Sequence, residues 1–472
     1  MTGVYAHFIG VGGAGMSGLA KVLADRGVAV SGSDLRLSRY AAALRDAGIL
    51  IHVGHDAGNL GDPEIVVISS AIPESNPELA EARRRGIPVW QRARMLAELA
   101  GDRRTVAVAG THGKTSTSSM AAAALSAMGL DPTFLIGGEL NDVGSNARCG
   151  EGDLYVVEAD ESDGSFLNLA PHVAIVTNVE ADHLDHYGTF SAVVDAFRSF
   201  IAQVDPAGVA VLCADDATLM GLASACPGRV VTYGRSSSAD VRCEAIASHE
   251  GGIRLDVVFP DGRRVTATVA VPGEHMALNA TGVLAALWAL GLDPEAAARG
   301  LDSFAGVKRR FEKVGEVAGI TVVDDYAHHP TEVRATLKGA RGAGFGRVWV
   351  VFQPHRYTRT AALRTEFGES FSDADRLVLM DVYSAGEAPV PGVSGKTVLD
   401  AVLHSAPRTQ AAYFPHRADV AGYVADRVRP GDLVMTMGAG DVTTMGAEIV
   451  RALDERGSVK GPAQPSGGGS CL

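Results

Sequence analysis

The sequence predicts an α/β protein of three domains built on mostly parallel sheets, and three observations carry that expectation. Short apolar runs such as Ala6-His7-Phe8-Ile9, Val106-Ala107-Val108-Ala109 and Val348-Trp349-Val350-Val351-Phe352 alternate with helical stretches, the pattern of stacked βα units. Many of these runs end in a glycine-rich or charged loop, where open α/β sheets place their ligands. The length of 472 residues exceeds what a single hydrophobic core usually supports.

Boundaries follow from local composition. The first domain, residues 1–102, closes where a helical Met-Leu-Ala-Glu-Leu-Ala ends in a Gly-Asp-Arg-Arg connection. The second, 103–304, opens with the run at Val106 and the third, 305–457, follows Gly306-Val307-Lys308-Arg309-Arg310. Within the second, Arg254–Phe259 and Arg264–Val269 flank Pro-Asp-Gly, a hairpin signal. Residues 458–472, rich in Gly, Ser and Pro, are expected to be disordered.

Composition narrows the function classes. Hydrophobic residues at 46% and charged residues at 21% fit an ordinary globular protein, while a net charge of -13 argues against nonspecific binding of nucleic acid or anionic membrane. Any phosphate ligand therefore needs a local site. No export signal is read at the start and no apolar stretch is long enough to cross a bilayer. Five scattered cysteines without CxxC spacing indicate neither a disulfide framework nor a zinc knuckle, so a reducing cytoplasm is the simplest setting.

The first chemical motif is Gly10-Val11-Gly12-Gly13-Ala14-Gly15, between a strand and a helix at Met16–Arg26, with Asp34 ending the next strand. Glycines let backbone approach a pyrophosphate at a helix N-terminus, and an acid about 20 residues on can accept ribose hydroxyls. Alone, this pattern reads most readily as NAD binding, or as a tight turn without ligand. The second motif, Gly110-Thr111-His112-Gly113-Lys114-Thr115, again lies between strand and helix. Backbone N–H groups of such a loop cradle phosphate, the lysine ammonium neutralises the β/γ charge, and the threonine hydroxyl can bind Mg²⁺.

Further strand ends carry more polar groups. Leu154–Val157 runs into Glu158-Ala159-Asp160-Glu161-Ser162-Asp163, either a solvated turn or, beside a phosphate loop, oxygen ligands for nucleotide-bound Mg²⁺. Val173–Thr177 opens into Asn178-Val179-Glu180-Ala181-Asp182-His183, where His183 can reach a metal or a substrate carboxylate. In the third domain Asp324-Asp325-Tyr326-Ala327-His328-His329 follows the predicted strand Ile320–Val323, and Gln353-Pro354-His355-Arg356-Tyr357-Thr358-Arg359 follows the run ending at Phe352. Arginine offers carboxylates a planar two-point fork, which distinguishes this pair of loops from salt-bridged surface only when both are read together.

Taken in order, nine blocks from His7 to Asp441, including GTHGKTS, EADESD, TNVEADHLDHYGTF, GVKRRFE, DDYAHHPTE and FQPHRYTRT, resemble the muramyl ligase family, most closely its L-alanine-adding branch. The resemblance implies a Rossmann-like N-terminal domain, a central P-loop ATPase domain and a C-terminal Rossmann-like domain. It also implies ATP-dependent ligation of L-alanine to UDP-N-acetylmuramate with ATP and Mg²⁺, in a cytoplasmic monomer or weak homodimer. Gly10, Gly12, Gly13, Ala14, Gly15, Asp34, Ser69 and Ser70 would then hold the UDP-sugar. Gly110, Thr111, His112, Gly113, Lys114, Thr115, Ser116, Asn279, Arg310 and Asp325 would hold ATP, with Lys114, Glu158 and His183 catalytic and Thr115, Glu158 and His183 facing metal. Tyr326, His328, Arg356 and Arg359 would line the L-alanine pocket.

Two departures stand out. Met276 replaces the first amide of the family's His-Asn-x-x-Asn, and Ala327 replaces a glycine, harmless only at negative φ. No lysine lies between Lys114 and Lys308, so the carbamylated lysine of sister enzymes is absent. The competing readings are a ligase that recycles a preformed peptide, a nucleotide-sensing module, and an NAD-dependent oxidoreductase, the last of which leaves the phosphate loop unexplained.

Overall fold

The computed structural model describes residues 4–249, 251–406 and 409–459, in two compact units that divide after Lys308. The first unit holds two sheets. Five parallel strands form the first: β1 (Tyr5–Ile9), β2 (Ala29–Asp34), β3 (Leu50–Val53), β4 (Ile65–Ile68) and β5 (Val89–Gln91), in the order β3-β2-β1-β4-β5. The chain winds outward from β1 to β3 and then crosses back to β4, so the C-terminal end of β1 is the point where winding reverses, the place such sheets bind ligands.

Ten strands form the second sheet: β6 (Arg104–Ala109), β7 (Thr133–Leu140), β8 (Ser145–Arg148), β9 (Leu154–Glu158), β10 (Val173–Val176), β11 (Val209–Cys213), β12 (Arg229–Gly234), β13 (Val241–His249), β14 (Gly252–Val258) and β15 (Arg264–Val269). Its centre, β7-β9-β6-β10-β11-β12, is parallel and runs with β13, while β8 closes one edge antiparallel. The hairpin expected around Pro260-Asp261-Gly262 is present as β14–β15, and β13 extends it to an antiparallel meander. Val106–Ala109 and Val173–Val176 are fully buried, as runs of small and β-branched residues covered on both faces should be. Residues 305–308 continue this unit, for Asn141 N–H donates to Gly306 O and Lys308 N–H to Glu139 O.

The second unit has one sheet: β16 (Glu312–Val317), β17 (Ile320–Asp325), β18 (Val348–Phe352), β19 (Arg376–Met380), β20 (Gln410–Phe414) and β21 (Leu433–Met437), ordered β16-β17-β21-β18-β19-β20. Only β16 is antiparallel. Asp324 and Asp325, expected just past the strand, are its last two residues, because they stay in register with Glu312 of β16 and with Thr436 and Met437 of β21. The helix Met445–Val459 runs two residues into the stretch 458–472 expected to be disordered; from residue 460 that stretch lies outside the described residues. Among the described residues no helix is long and apolar enough to cross a membrane, and the four described cysteines are free.

Candidate active site

Three strand ends of the ten-stranded sheet converge on one loop. Residues 110–113 leave β6 and turn into the helix Lys114–Ala127, with Gly110 at φ +135° and Gly113 at +85°, left-handed conformations that favour glycine. A side chain at Gly110 would run into Thr177 Oγ1, and one at Gly113 would lie 2.8 Å from Asn279 Oδ1. The loop following β10 holds it in place. Asn178 Oδ1 accepts His112 N–H at 2.8 Å, Thr177 Oγ1 donates to His112 O at 2.5 Å, and Glu180 N–H donates to Thr111 Oγ1 at 2.9 Å.

Inside this loop Lys114 Nζ donates to Gly110 O (2.6 Å), Thr111 O (3.1 Å) and Glu161 Oε1 (2.8 Å). Burial alone would favour the neutral amine, but the carboxylates of Glu161, Asp160 and Glu158 outweigh it and hold the ammonium above the ordinary lysine range. Burial likewise pushes Glu161 up to about 7, against the pull of Lys114. Glu158, last residue of β9, accepts Thr115 Oγ1 at 3.1 Å and Gly137 N–H at 2.7 Å, and burial raises its pKa as well. His183 adopts φ +54° and brings Nε2 within 3.7 Å of Glu161 Oε1 and of Asp182 Oδ2. Glu161 thus links Lys114 with His183, while Thr115 and Glu158 form a pair of their own in the next turn and strand end. Ser116 is buried in the first turn of the helix, and buried Asn279 lies against Gly113, its Nδ2 4.0 Å from Met276 Sδ.

At the end of β1, Gly10 and Val11 N–H both donate to Ser33 O. Asp34 Oδ2 accepts Gly12 N–H at 2.8 Å and Ser38 Oγ donates to Gly12 O at 2.8 Å, so the observed work of Asp34 is to clamp the turn. A side chain at Gly12 would collide with both groups, and one at Gly15 with Arg92 Nη1. Gly13 caps the helix Ala14–Asp25, which begins two residues before the expected Met16. Ser69 and Ser70 follow β4, whose neighbour in the sheet is β1, and Ile72 from the same loop lies under Gly10.

The second unit gathers its own polar cluster at the ends of β17 and β18. Asp325 accepts Phe311 N–H and Ala327 N–H, each at 2.8 Å. Burial pushes it up to about 6 against Arg310 and these two donors. Arg310 lies over the Tyr326 ring at 5.1 Å. The rings of Tyr326, His328, His355 and Tyr383 follow one another at 5.3, 5.7 and 5.7 Å. Burial, with Arg359 nearby, lowers His328 to about 3 and His355 to about 4, so both rings are neutral beside arginines. Arg356, at φ +67°, starts the helix Tyr357–Ala362 that carries Arg359. Ala327 is not among the positive-φ residues, which meets the condition under which it replaces glycine without strain.

Glu161, Thr177, Asn178 and His355 sit in these clusters without having been singled out from sequence. All four lie inside quoted motifs, but spacing alone does not tell which acid of EADESD faces the lysine.

Comparison with known proteins covers the same ground. Residues 5–104 match the model described as Mur ligase family, catalytic domain; 108–287 match Mur ligase middle domain; 309–440 match Mur ligase, glutamate ligase domain. The UDP-N-acetylmuramate--L-alanine ligase of Desulforamulus reducens is 47% identical over 95% of this chain and 98% of its own length. That of Kineococcus radiotolerans is 51% identical over 95% and 96%. The crystal structure of UDP-N-acetylmuramate-alanine ligase MurC from Thermotoga maritima superposes with a TM-score of 0.79 at 29% identity, covering 97% of this chain and 100% of that one. A murein peptide ligase from Psychrobacter arcticus gives 0.71 at 25%, covering 96% and 99%.

Proposed function

The chain belongs to the Mur ligase family, and we propose that it joins L-alanine to the carboxylate of UDP-N-acetylmuramate at the expense of ATP, a step of peptidoglycan precursor synthesis. The observation that carries the choice of substrates is identity near one half, over 95% of the chain, to ligases named for that reaction. The structure of a murein peptide ligase is less similar, at 25%, which disfavours addition of a preformed peptide.

A carboxylate repels nucleophiles and has no usable leaving group, so it must first be phosphorylated. The glycines at 110 and 113 allow the positive-φ backbone that turns the loop's N–H groups towards phosphate, and Lys114 is held at the loop by Gly110 O, Thr111 O and Glu161. There its ammonium neutralises charge on the transferring phosphoryl group. Thr115 Oγ1 and Glu158 Oε1, 3.1 Å apart, are hard oxygen donors suited to Mg²⁺, and His183 is a further ligand candidate. Bound there, the ion supplies Lewis-acid stabilisation of phosphoryl oxygens. Attack of the muramoyl carboxylate on the γ-phosphorus releases ADP and yields an acyl phosphate, which the neutral amine of L-alanine then attacks, expelling phosphate. Asn279, buried against Gly113, would contact a nucleotide held in this loop. Tyr326, His328, Arg356 and Arg359 receive the amino acid: the histidines are neutral, leaving the guanidinium groups to take its carboxylate. The glycine turn at 10–15, with Asp34, Ser69 and Ser70, takes the UDP-sugar.

Phosphate release tests this directly. With ATP, Mg²⁺ and UDP-N-acetylmuramate, L-alanine should stimulate release and a free tripeptide should not; stimulation by the tripeptide alone overturns the reading.

A further inference from the structure

Beneath the glycine turn lies a buried polar network that no part of the reaction uses. Glu78, in the first turn of the helix Pro77–Arg84, is fully buried and meets four polar groups on three segments. His7 Nε2 of β1 lies 3.2 Å from its Oε2, Ser33 Oγ of β2 donates to the same oxygen, and Asn59 Nδ2 (2.8 Å) and Asp56 N–H (3.2 Å) donate to Oε1. His55 Nδ1 bonds Ser33 Oγ at 3.1 Å. A buried carboxylate is costly unless its lone pairs are filled, and here they are. Burial works against ionisation, but the donors win and hold Glu78 down at about 2.

The network's output is at Ser33. Its side chain is fixed by Glu78, while its carbonyl receives both Gly10 and Val11 N–H, and the next residue, Asp34, clamps Gly12. The same carboxylate holds Asn59, whose Nδ2 also donates to Gly54 O, and Gly54 N–H donates to Asp34 O. Asp34 is therefore gripped from both sides through one acid. We propose that Glu78 is a positioning residue for the UDP-sugar site: it sets the Ser33–Asp34 segment, and through it the backbone N–H groups of the glycine turn, without touching ligand. The inference rests on the proposed function, since that reading puts UDP-N-acetylmuramate at this turn.

Calorimetric binding of UDP-N-acetylmuramate and of ATP, with steady-state kinetics, tests it on the full chain bearing Glu78→Ala, Glu78→Gln or Ser33→Ala. Loss of turn pre-organisation worth one or two hydrogen bonds predicts a rise in Kd and KM for the UDP-sugar of about tenfold in Glu78→Ala. The kcat and the KM for ATP should stay near wild type, and Glu78→Gln, which keeps acceptor Oε1, should recover part of the loss. Ser33→Ala breaks one link and leaves the other donors on Glu78, so it carries the test if Glu78→Ala does not fold; about threefold is expected there. Folded variants that bind the UDP-sugar as wild type does, or that lose ATP affinity equally, overturn the inference alone. A wild-type chain that does not bind UDP-N-acetylmuramate overturns the function reading and this inference with it.

Discussion

A lysine ammonium buried at the head of a phosphate loop needs a counter-charge before any nucleotide arrives, and Glu161 supplies it at 2.8 Å. Lys114→Ala should lower kcat by at least about 10³-fold, the scale on which removing a group that stabilises transferring charge is felt, while UDP-sugar binding persists. Appreciable ligation by that variant in a phosphate-release assay would refute the role of Lys114. Met276 gives a second residue-level test. It is buried against Asn279, whose Nδ2 lies 4.0 Å from its sulfur, so Met276→Asn buries a second amide at the cost of its desolvation. A loss of about 1–3 kcal/mol in urea unfolding is expected without nucleotide, shrinking when ATP is added; an unchanged midpoint would show that the amide finds partners. At this scale the motifs were legible because glycine, lysine and strand-end acids have few other reasons to recur in that order. Glu161 was not, because four acids in six residues look alike until a backbone decides which one turns inward.

On the proposed function, loops at strand ends carry the chemistry, and their shape depends on neighbours distant in sequence. Gly110 sits at φ +135° with Thr177 Oγ1 pressed against it, so Gly110→Ala meets both backbone strain and a collision. A destabilisation of about 2–3 kcal/mol is expected, with ATP binding lost before UDP-sugar binding; paired titrations of the two nucleotides would reveal the order. The loops after β17 and β18 respond to pH instead. His355 has its pKa lowered by burial from 6.5 to about 4, so the folded state binds its proton less readily than the unfolded chain. The stability tied to its neutral form is present above 6.5 and is lost as pH falls towards about 4. Urea midpoints at pH 7.5 and 5, compared between wild type and His355→Gln, should show a smaller drop in the variant. The strands were readable from apolar runs, and the hairpin from its Pro-Asp-Gly turn. The extension of β17 through Asp324 and Asp325 was not, because pairing with β16 and β21 overrides the poor strand propensity of aspartate.

On the scale of the molecule, alternation of strands and helices was enough to announce parallel sheets, but not that residues 305–308 would pair with the end of β7 and belong to the first unit. That attachment is a backbone pairing between segments more than 160 positions apart, beyond the reach of local pattern. On the proposed function the first unit would hold two separate nucleotide cradles, one on each sheet, and this makes ligand-linked stability informative. A ligand that binds only the folded chain adds about 2.7 kcal/mol at 100 times its Kd. UDP-N-acetylmuramate and Mg²⁺-ATP should each raise the thermal midpoint of the wild type, and the rise from the sugar nucleotide should survive Lys114→Ala while that from ATP shrinks. The reverse holds for Glu78→Ala, where a roughly tenfold weaker Kd leaves the sugar nucleotide about half of its effect and ATP keeps its own. If a substitution in one cradle abolished both shifts, the two ligands would not occupy separate sheets, and the division of labour between the glycine turn and the lysine-bearing loop would have to be given up.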